Sequence, residues 1–210
     1  WLEASGEHAD IVLSTRVRLA RNLQGHAFGA RARVNDREAV LRQFRNSAEH
    51  SEMLRGGRLL EIPEVPGRTR QVLHERRLVT RDLLGEKGSE PVTSTAVHFA
   101  RREPVSVMVN EEDHLRMQSL LSGLRISEAW RIVDRLDEEI GRELPYAYHP
   151  EFGFLTSCPT NVGSVLPSFS LRSRCSFRTC SETRCTLCTI ESQPRRQRTR
   201  RSRLAQQRLE

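Results

Sequence analysis

The sequence predicts an α+β fold in which a largely antiparallel sheet is flanked by helices. Short apolar stretches with strand-like alternation are mixed with two long amphipathic segments, without a regular strand–helix–strand repeat. Polar turns of a few residues join neighbouring apolar stretches, as expected for antiparallel pairs. This pattern ends at Gly163, after which a tail rich in Ser and Arg begins.

The first predicted strand covers residues 10–19, where side chains alternate with period two. One face carries mostly apolar side chains: Ile11, Leu13, Thr15, Val17 and Leu19. The other face carries Arg16 and Arg18, whose Cα atoms should lie about 7 Å apart. Taken alone, these arginines fit a half-exposed strand with its charges in water equally well. Further strands are predicted at 58–62, 96–100, 104–109, 115–121 and 151–158.

Two helices are predicted from apolar side chains at three- and four-residue spacing. Residues 35–55 form the first, which should end at Gly56-Gly57. Residues 127–144 form the second and clearest, with Ser127 as its N-terminal cap. Residues 71–84 are predicted to hold a short helix or an extended turn.

The positive charge of the chain lies in its tail. The whole chain has 34 Lys and Arg against 27 Asp and Glu, a formal net charge of +7. Residues 164–210 hold eleven Arg, no Lys and three Glu, which leaves 23 basic and 24 acidic residues in 1–163. The net charge of the body therefore gives no reason to expect nucleic-acid binding.

Targeting signals and disulfides are not predicted. No apolar run reaches the length of a membrane span, and no signal peptide pattern opens the chain at Trp1. A cytoplasmic location is the default expectation. Only one of five cysteines, Cys158, precedes Gly163, so no disulfide framework is expected.

The run Asn110–Arg116 concentrates ionisable groups directly after the apolar stretch 105–109. Three carboxylates, a histidine and an arginine follow one another there, at a strand end where functional groups are often found. A guanidinium donates two parallel hydrogen bonds to phosphate, and a carboxylate binds a cationic acceptor or takes its proton. Combined with Arg16 and Arg18, the run indicates phosphoryl transfer.

Three motifs resemble, in order and spacing, those of the phosphagen (ATP:guanidino) kinases. They are Ser-Thr-Arg-Val-Arg-Leu-Ala-Arg-Asn at 14–22, Asn-Glu-Glu-Asp-His-Leu-Arg at 110–116 and Cys-Pro-Thr-Asn-Val-Gly at 158–163. Residues 106–109 lack the tryptophan usual in kinases of small guanidines, and no separate helical domain precedes the first motif. The chain is therefore similar to the bacterial branch that phosphorylates arginine side chains of proteins. The resemblance covers residues 1–163.

The resemblance implies a role for individual residues. It assigns the ATP-binding segments to Ser14, Thr15, Arg16, Val17, Arg18, Arg77 and Arg116. Arg77 stands where the family has a phosphate-contacting histidine. Glu112 would hold the acceptor guanidinium and act as base, and Cys158 would lie beside that guanidinium. A lone cysteine is more often a small buried residue, but the motif around Cys158 favours the site. His114 is expected to orient the loop.

The resemblance also implies a glutamine-synthetase-like sheet, the substrate ATP and Mg²⁺ carried by the nucleotide. Expected partners are protein substrates with exposed arginine, an activator protein, the Clp protease system in a stress response, and a second copy in a homodimer. Neither a membrane nor a nucleic acid is expected as a partner.

The chain departs from the family after Gly163. Pro167 stands where the family has a further phosphate-binding arginine. Residues 167–171 can be encoded by a string that yields Arg-Ala-Ser-Val when shifted by one base. We hypothesise that residues 164–210 are an out-of-frame, disordered translation. With part of the phosphate clamp missing, little or no kinase activity is expected.

Two alternatives remain open at the level of sequence. One is a kinase of a small free guanidine such as arginine or creatine. The other is a zinc-clipped nucleic-acid-binding module in the tail, formed by Cys175, Cys180, Cys185 and Cys188. The last two of these have zinc-like spacing, whereas the earlier gaps do not.

Overall fold

The computed structural model describes residues 5–85, 92–101, 104–158 and 161, together with the backbone of residues 168–171. Its main feature is a six-stranded sheet in the order β2-β3-β4-β5-β1-β8. The strands of this sheet are β1 Val12–Arg21, β2 Arg58–Glu61, β3 Ala96–Phe99, β4 Val105–Val109, β5 Leu115–Ser122 and β8 Ser168–Leu171. Every described pairing in it is antiparallel, as predicted.

Helices and a small hairpin complete the described structure. The helices are α1 Val34–His50, α2 Gly67–Glu75 and α3 Ile126–Glu143, with 3-10 turns at Gly29–Arg31 and Ile62–Glu64. The hairpin pairs β6 Tyr148–His149 with β7 Gly153–Phe154. None of the helices within the described ranges is long and apolar enough to cross a lipid bilayer.

Helices α1 and α3 cover one face of the sheet. Strand alternation places Val17 and Leu19 of β1 on this face, where they join the larger core cluster with Phe44 of α1 and Leu136 of α3. All four side chains are less than 5% exposed. Burial of such side chains contributes about 1.5–3 kcal/mol each, so this face supplies most of the hydrophobic stabilisation.

The opposite face of the sheet is covered only in part. The chain following β2 packs Ile62, Leu73 and Leu83 against Val97 of β3 and Met108 of β4 in a second core cluster. This segment covers the β2–β4 half of the sheet. The same face continues across β5 and β1, where Arg16, Arg18 and Arg116 lie.

Two predicted boundaries are wrong because tertiary contacts set them. The first helix ends at His50, not at Arg55, and residues after it form a turn in which Leu54 N donates to Ser51 Oγ at 3.2 Å. Glu139 of α3 accepts hydrogen bonds from Ser51 Oγ and Met53 N, at 2.7 and 3.2 Å. Helix α3 begins at Ile126, and its N-cap is Arg125 in place of the predicted cap Ser127.

The predicted strand 151–158 is also wrong. The chain reverses between His149 and Gly153, where Glu151 N donates to His149 Nδ1 at 3.2 Å and Gly153 takes φ +81°. Only the two-residue strands β6 and β7 form. Residues 168–171, which lie within the segment expected to be disordered, pair with β1 as β8. The rest of the tail, including its cysteines, lies outside the described residues.

Candidate active site

Arg16, Arg18 and Arg116 project from the same face of the sheet. Residues directly opposite in an antiparallel pair share a face, and the register pairs Arg18 with Gln118 and Ala20 with Arg116. Arg18 and Arg116 are therefore diagonal neighbours across β1 and β5, within reach of one another's long side chains. We call these three residues the arginine face.

The arginine face carries excess positive charge in a partly buried environment. The pKa of the Arg16 guanidinium falls to about 10, first because of burial and then because of like charges nearby. Those charges belong to Arg18, Arg77 and Arg116. Burial and Arg116 also lower the pKa of Arg18. An anion bound here would relieve this repulsion, so the residues present fit a polyphosphate.

Glu111 supplies a counter-charge beneath the arginine face. Its side chain is 1% exposed, and its Oε2 accepts a hydrogen bond from Arg116 Nη1. Its Oε1 accepts from Thr80 Oγ1. The negative charge of Glu111 opposes the lowering of the Arg18 pKa. Both carboxylate oxygens are thus used to hold Arg116 and the chain after α2 in place.

Gln118 brings Arg77 to this face. The Nε2 group of Gln118 donates to Arg77 O at 2.7 Å and to Ser106 Oγ at 2.8 Å. Arg77 has φ +59°, a left-handed conformation that is uncommon for a residue with a side chain. This connection between β5 and the segment after α2 brings the charge of Arg77 close enough to lower the pKa of Arg16.

Asp113 joins the three motifs. Its Oδ1 accepts from Asn22 Nδ2 at 2.7 Å and from Ser157 N at 2.6 Å. Its Oδ2 accepts from Asn161 Nδ2 at 3.3 Å. Asp113 is 2% exposed, so these bonds form within the protein interior. One buried carboxylate therefore connects the end of β1, the turn between β4 and β5, and the cysteine motif.

His114 orients the same turn, as the resemblance implied. Its Nδ1 accepts from Leu23 N at 3.0 Å, so the neutral ring carries its proton on Nε2, which donates to Ala27 O at 3.1 Å. Its backbone N donates to Asn22 Oδ1 at 2.8 Å. Burial lowers the pKa of His114. A neutral imidazole fully used in these bonds is a structural group.

Glu112 and Cys158 meet through Ser157. Glu112 is the exposed residue of the turn, whereas Glu111 and Asp113 on either side face inward. Ser157 Oγ donates to Glu112 O at 2.8 Å, which places the backbone of Cys158 one residue from the Glu112 turn. Cys158 is half-buried. The two residues assigned to the acceptor are therefore brought together.

Two residues of the predicted ATP-binding segment have side chains on the opposite face of β1. Thr15 and Val17 project to the face covered by α3, where both are fully buried. Thr15 Oγ1 donates to Gly123 O at 2.6 Å and accepts from Arg125 N at 3.0 Å. Their side chains therefore point away from the arginine face. Ser14 shares the face of Arg16 and is 2% exposed.

Sequence reasoning assigned no role to several residues that build the site. Glu111, Asp113 and Asn22 lie inside the motifs quoted above, yet adjacent carboxylates cannot be ranked without the turn geometry. Ser157 and Gln118 carried no signal beyond their positions beside Cys158 and Arg116. The available clue was alternation, which places Gln118 on the same face of β5 as Arg116.

Convergent guanidinium groups beside a turn that holds an exposed carboxylate are the groups that phosphoryl transfer to a cationic acceptor requires. Comparison with known proteins agrees with this chemistry. The profile of the family described as ATP:guanido phosphotransferase, C-terminal catalytic domain, matches residues 39–168. The chain therefore belongs to the ATP:guanido phosphotransferase family.

Curated relatives narrow the comparison. The chain is 41% identical over 167 residues to a protein-arginine kinase of Pelotomaculum thermopropionicum, covering 78% of this chain and 46% of the relative. It is 40% identical over 166 residues to a protein-arginine kinase of Brevibacillus brevis, covering 78% of this chain and 45% of the relative. The chain thus spans about half the length of the curated relatives it matches.

Solved structures share the fold at lower identity. A duplicated taurocyamine kinase from Schistosoma mansoni, with transition state analogue components bound, matches with a TM-score of 0.70 and 21% identity. That match covers 77% of this chain and 23% of the other. A lombricine kinase matches with a TM-score of 0.65 and 17% identity, covering 78% and 48% of the two chains.

Proposed function

We propose that this chain carries the nucleotide site and the acceptor site for ATP-dependent phosphorylation of arginine side chains in proteins. The observation that supports this most is the pairing of the arginine face with the Glu112 turn, which lie at neighbouring positions on β1, β5 and the β4–β5 turn. Arg16, Arg18 and Arg116 hold the phosphates, Arg77 adds charge nearby, and Ser14 lies beside them.

The proposed reaction is an in-line transfer. A guanidino nitrogen of the acceptor attacks the γ-phosphorus of ATP, an N–P bond forms, and the bond from the γ-phosphorus to the bridging oxygen breaks to release ADP. The nitrogen loses a proton to the Glu112 carboxylate, and Cys158 lies beside the acceptor. Mg²⁺ arriving with the nucleotide neutralises phosphate charge.

A protein acceptor is favoured over a small free guanidine. The relatives at 36–41% identity are named protein-arginine kinases, whereas the solved kinases of small guanidines share only 17–21% identity. Residues 106–109 also lack the tryptophan typical of the small-guanidine enzymes. An activator, a Clp protease and a homodimer belong to this proposal only through the family resemblance.

We further propose that the chain by itself has low activity. Pro167 stands where the resemblance implies a phosphate-binding arginine, and a missing preorganised charge of this kind costs about 10²–10³ in rate. Nucleotide binding depends on fewer groups than catalysis does, so it should persist. The test of function therefore measures both.

ATP binding to the full chain is measured by calorimetry, and phosphoarginine is measured on an arginine-rich protein and on free arginine. Arg18→Gln should weaken ATP binding about 10-fold or more, because a charge-assisted bond to phosphate contributes about 1.5–3 kcal/mol. Arg131→Gln is the control, since it removes the same charge from the exposed surface of α3. Equal weakening by both variants, or phosphorylation of free arginine alone, would contradict the proposal.

A further inference from the structure

The loop at residues 24–31 packs against the acceptor side of the site, next to the Glu112 turn and the Cys158 segment. Gly29 in this loop has φ +64°, and a Cβ built on it would lie 2.9 Å from Ser157 Oγ and 3.3 Å from Ser157 Cβ. The same Cβ would lie 4.0 Å from Glu112 O. A side chain at position 29 would therefore push directly on the junction between Glu112 and Cys158.

Ser157 is held by two bonds to the turn between β4 and β5. Its N donates to Asp113 Oδ1 at 2.6 Å, and its Oγ donates to Glu112 O at 2.8 Å. The first bond fixes the chain near the turn. The second fixes how far the backbone of Cys158 lies from that of Glu112. Ser157 Oγ is the atom nearest to a Cβ built on Gly29. A displacement of the loop at Gly29 would therefore disturb the bond from Ser157 Oγ to Glu112 O.

The loop itself is fixed from the other side by His114. Leu23 N donates to His114 Nδ1 at the start of the loop, and His114 Nε2 donates to Ala27 O in its middle, at 3.0 and 3.1 Å. The Phe28 ring packs edge-on against His114, with centroids 5.8 Å apart. The loop therefore cannot move away from Ser157 without breaking buried contacts of His114.

We propose that Ser157 is a positioning residue that sets the spacing between Glu112 and Cys158, and that Gly29 keeps the 24–31 loop close enough to hold Ser157 there. The inference rests on the proposed acceptor site. It assigns the spacing of the two acceptor residues to Ser157 and Gly29, neither of which touches the acceptor itself. A larger residue at position 29 would open the site on the Cys158 side.

The chain offers a matched control for this inference. Gly25 lies in the same loop and has φ +84°, yet a Cβ built on it meets nothing within 4 Å. Gly25→Ala and Gly29→Ala therefore both place a side chain in the left-handed region, with a similar backbone strain. Only Gly29→Ala also pushes on Ser157. A comparison of the two separates backbone strain from the contact.

The readout is the iodoacetamide alkylation rate of Cys158 in the full chain, resolved by peptide mass spectrometry and independent of catalysis. An arginine-containing peptide should protect Cys158 in the parent chain, whereas the same peptide with citrulline should not. Ser157→Ala and Gly29→Ala should each reduce that protection about 3- to 10-fold, the range expected when one hydrogen bond is lost. Gly25→Ala should retain it. Unfolding midpoints are recorded for every variant.

The double variant adds a test that a purely structural role would not pass. Gly29→Ala combined with Ser157→Ala should lose no more protection than Ser157→Ala alone, because the nearest clashing atom has been removed. Full protection in Gly29→Ala, or equal loss in Gly25→Ala, would overturn the inference while leaving the acceptor site intact. Absence of arginine-specific protection in the parent chain would overturn both the inference and the proposed function.

Discussion

Neighbouring carboxylates in the acidic turn have different roles because they face different sides of the backbone. Glu111 faces inward to Arg116 and Thr80, Asp113 faces inward to the cysteine motif, and Glu112 faces solvent. A charged group that is 1% exposed is tolerated only with partners on both oxygens, which Glu111 has. The exposed position is the one from which an acceptor can be reached.

Replacement of Glu111 by Gln should destabilise the chain. The variant removes the charge that holds Arg116 and offsets the repulsion within the arginine face, so the free energy of unfolding should fall by roughly 1–3 kcal/mol. Glu112→Gln, one residue away and exposed, should change it by less than about 0.5 kcal/mol. Urea denaturation measures both, and equal effects would show that Glu111 is not the structural partner of Arg116.

At the scale of elements, Arg21 fastens β1 to α3 and to the β6–β7 hairpin. Its Nε and Nη2 donate to the two carboxylate oxygens of Asp137, at 3.0 and 2.7 Å, and Nη1 donates to Ala20 O at 2.8 Å. The guanidinium carbon lies 3.9 Å from the centroid of the Phe154 ring. This last arginine of the first motif is therefore structural, whereas Arg16 and Arg18 remain directed to the open face.

Removal of the Asp137 carboxylate should loosen this connection. Asp137→Ala leaves Arg21 as a buried charge without its main partner, which should cost about 3–5 kcal/mol. The exposed pair of Arg125 and Glu128 on the same helix is the comparison, since Glu128→Ala should cost less than about 1 kcal/mol. Thermal unfolding of both variants checks the difference, and similar shifts would mean that burial adds nothing to the Arg21 pair.

For the whole molecule, the sheet divides structural and chemical roles between its two faces. The face under α1 and α3 forms the larger core, and the opposite face is covered by the second cluster only over β2–β4. The arginines occupy the part of that face that this cluster leaves uncovered. Partial burial there strengthens the interaction of charges with a bound polyphosphate.

Buried histidines make the stability of the whole molecule depend on pH. Burial lowers the pKa of His98 from 6.5 to about 4 and also lowers that of His114. His98 therefore binds fewer protons in the folded state, so its contribution is complete above about pH 6.5 and is lost as the pH falls toward 4. The lowered pKa of His114 acts in the same direction. For His98 the loss approaches roughly 3 kcal/mol, at about 1.4 kcal/mol per pKa unit.

Urea unfolding between pH 7.5 and pH 4.5 measures this loss. His98→Asn should flatten the profile, because the titrating group is gone. His8→Asn is the control, since His8 is exposed and asparagine tolerates its φ of +50°. If His98→Asn leaves the pH dependence of the free energy of unfolding unchanged, His98 is not its source.

The sequence by itself determined the family motifs, the alternation of β1 and the position of α3, because each is written in residues close together in the chain. Alternation alone also placed Thr15 and Val17 on the apolar face of β1, where the structure buries both side chains. Local patterns of this kind persist because the side-chain period of a strand or helix is fixed by backbone geometry.

Only the tertiary structure decided which carboxylates of the turn face inward, where α1 ends and which residue joins the motifs. Asp113 bonds Asn22 and Ser157, which lie 91 and 44 residues away in the chain. Helix α1 ends where Glu139 of α3 captures the following turn, 88 residues from Ser51. Such choices depend on which distant groups burial brings within hydrogen-bond distance, and no local pattern encodes that.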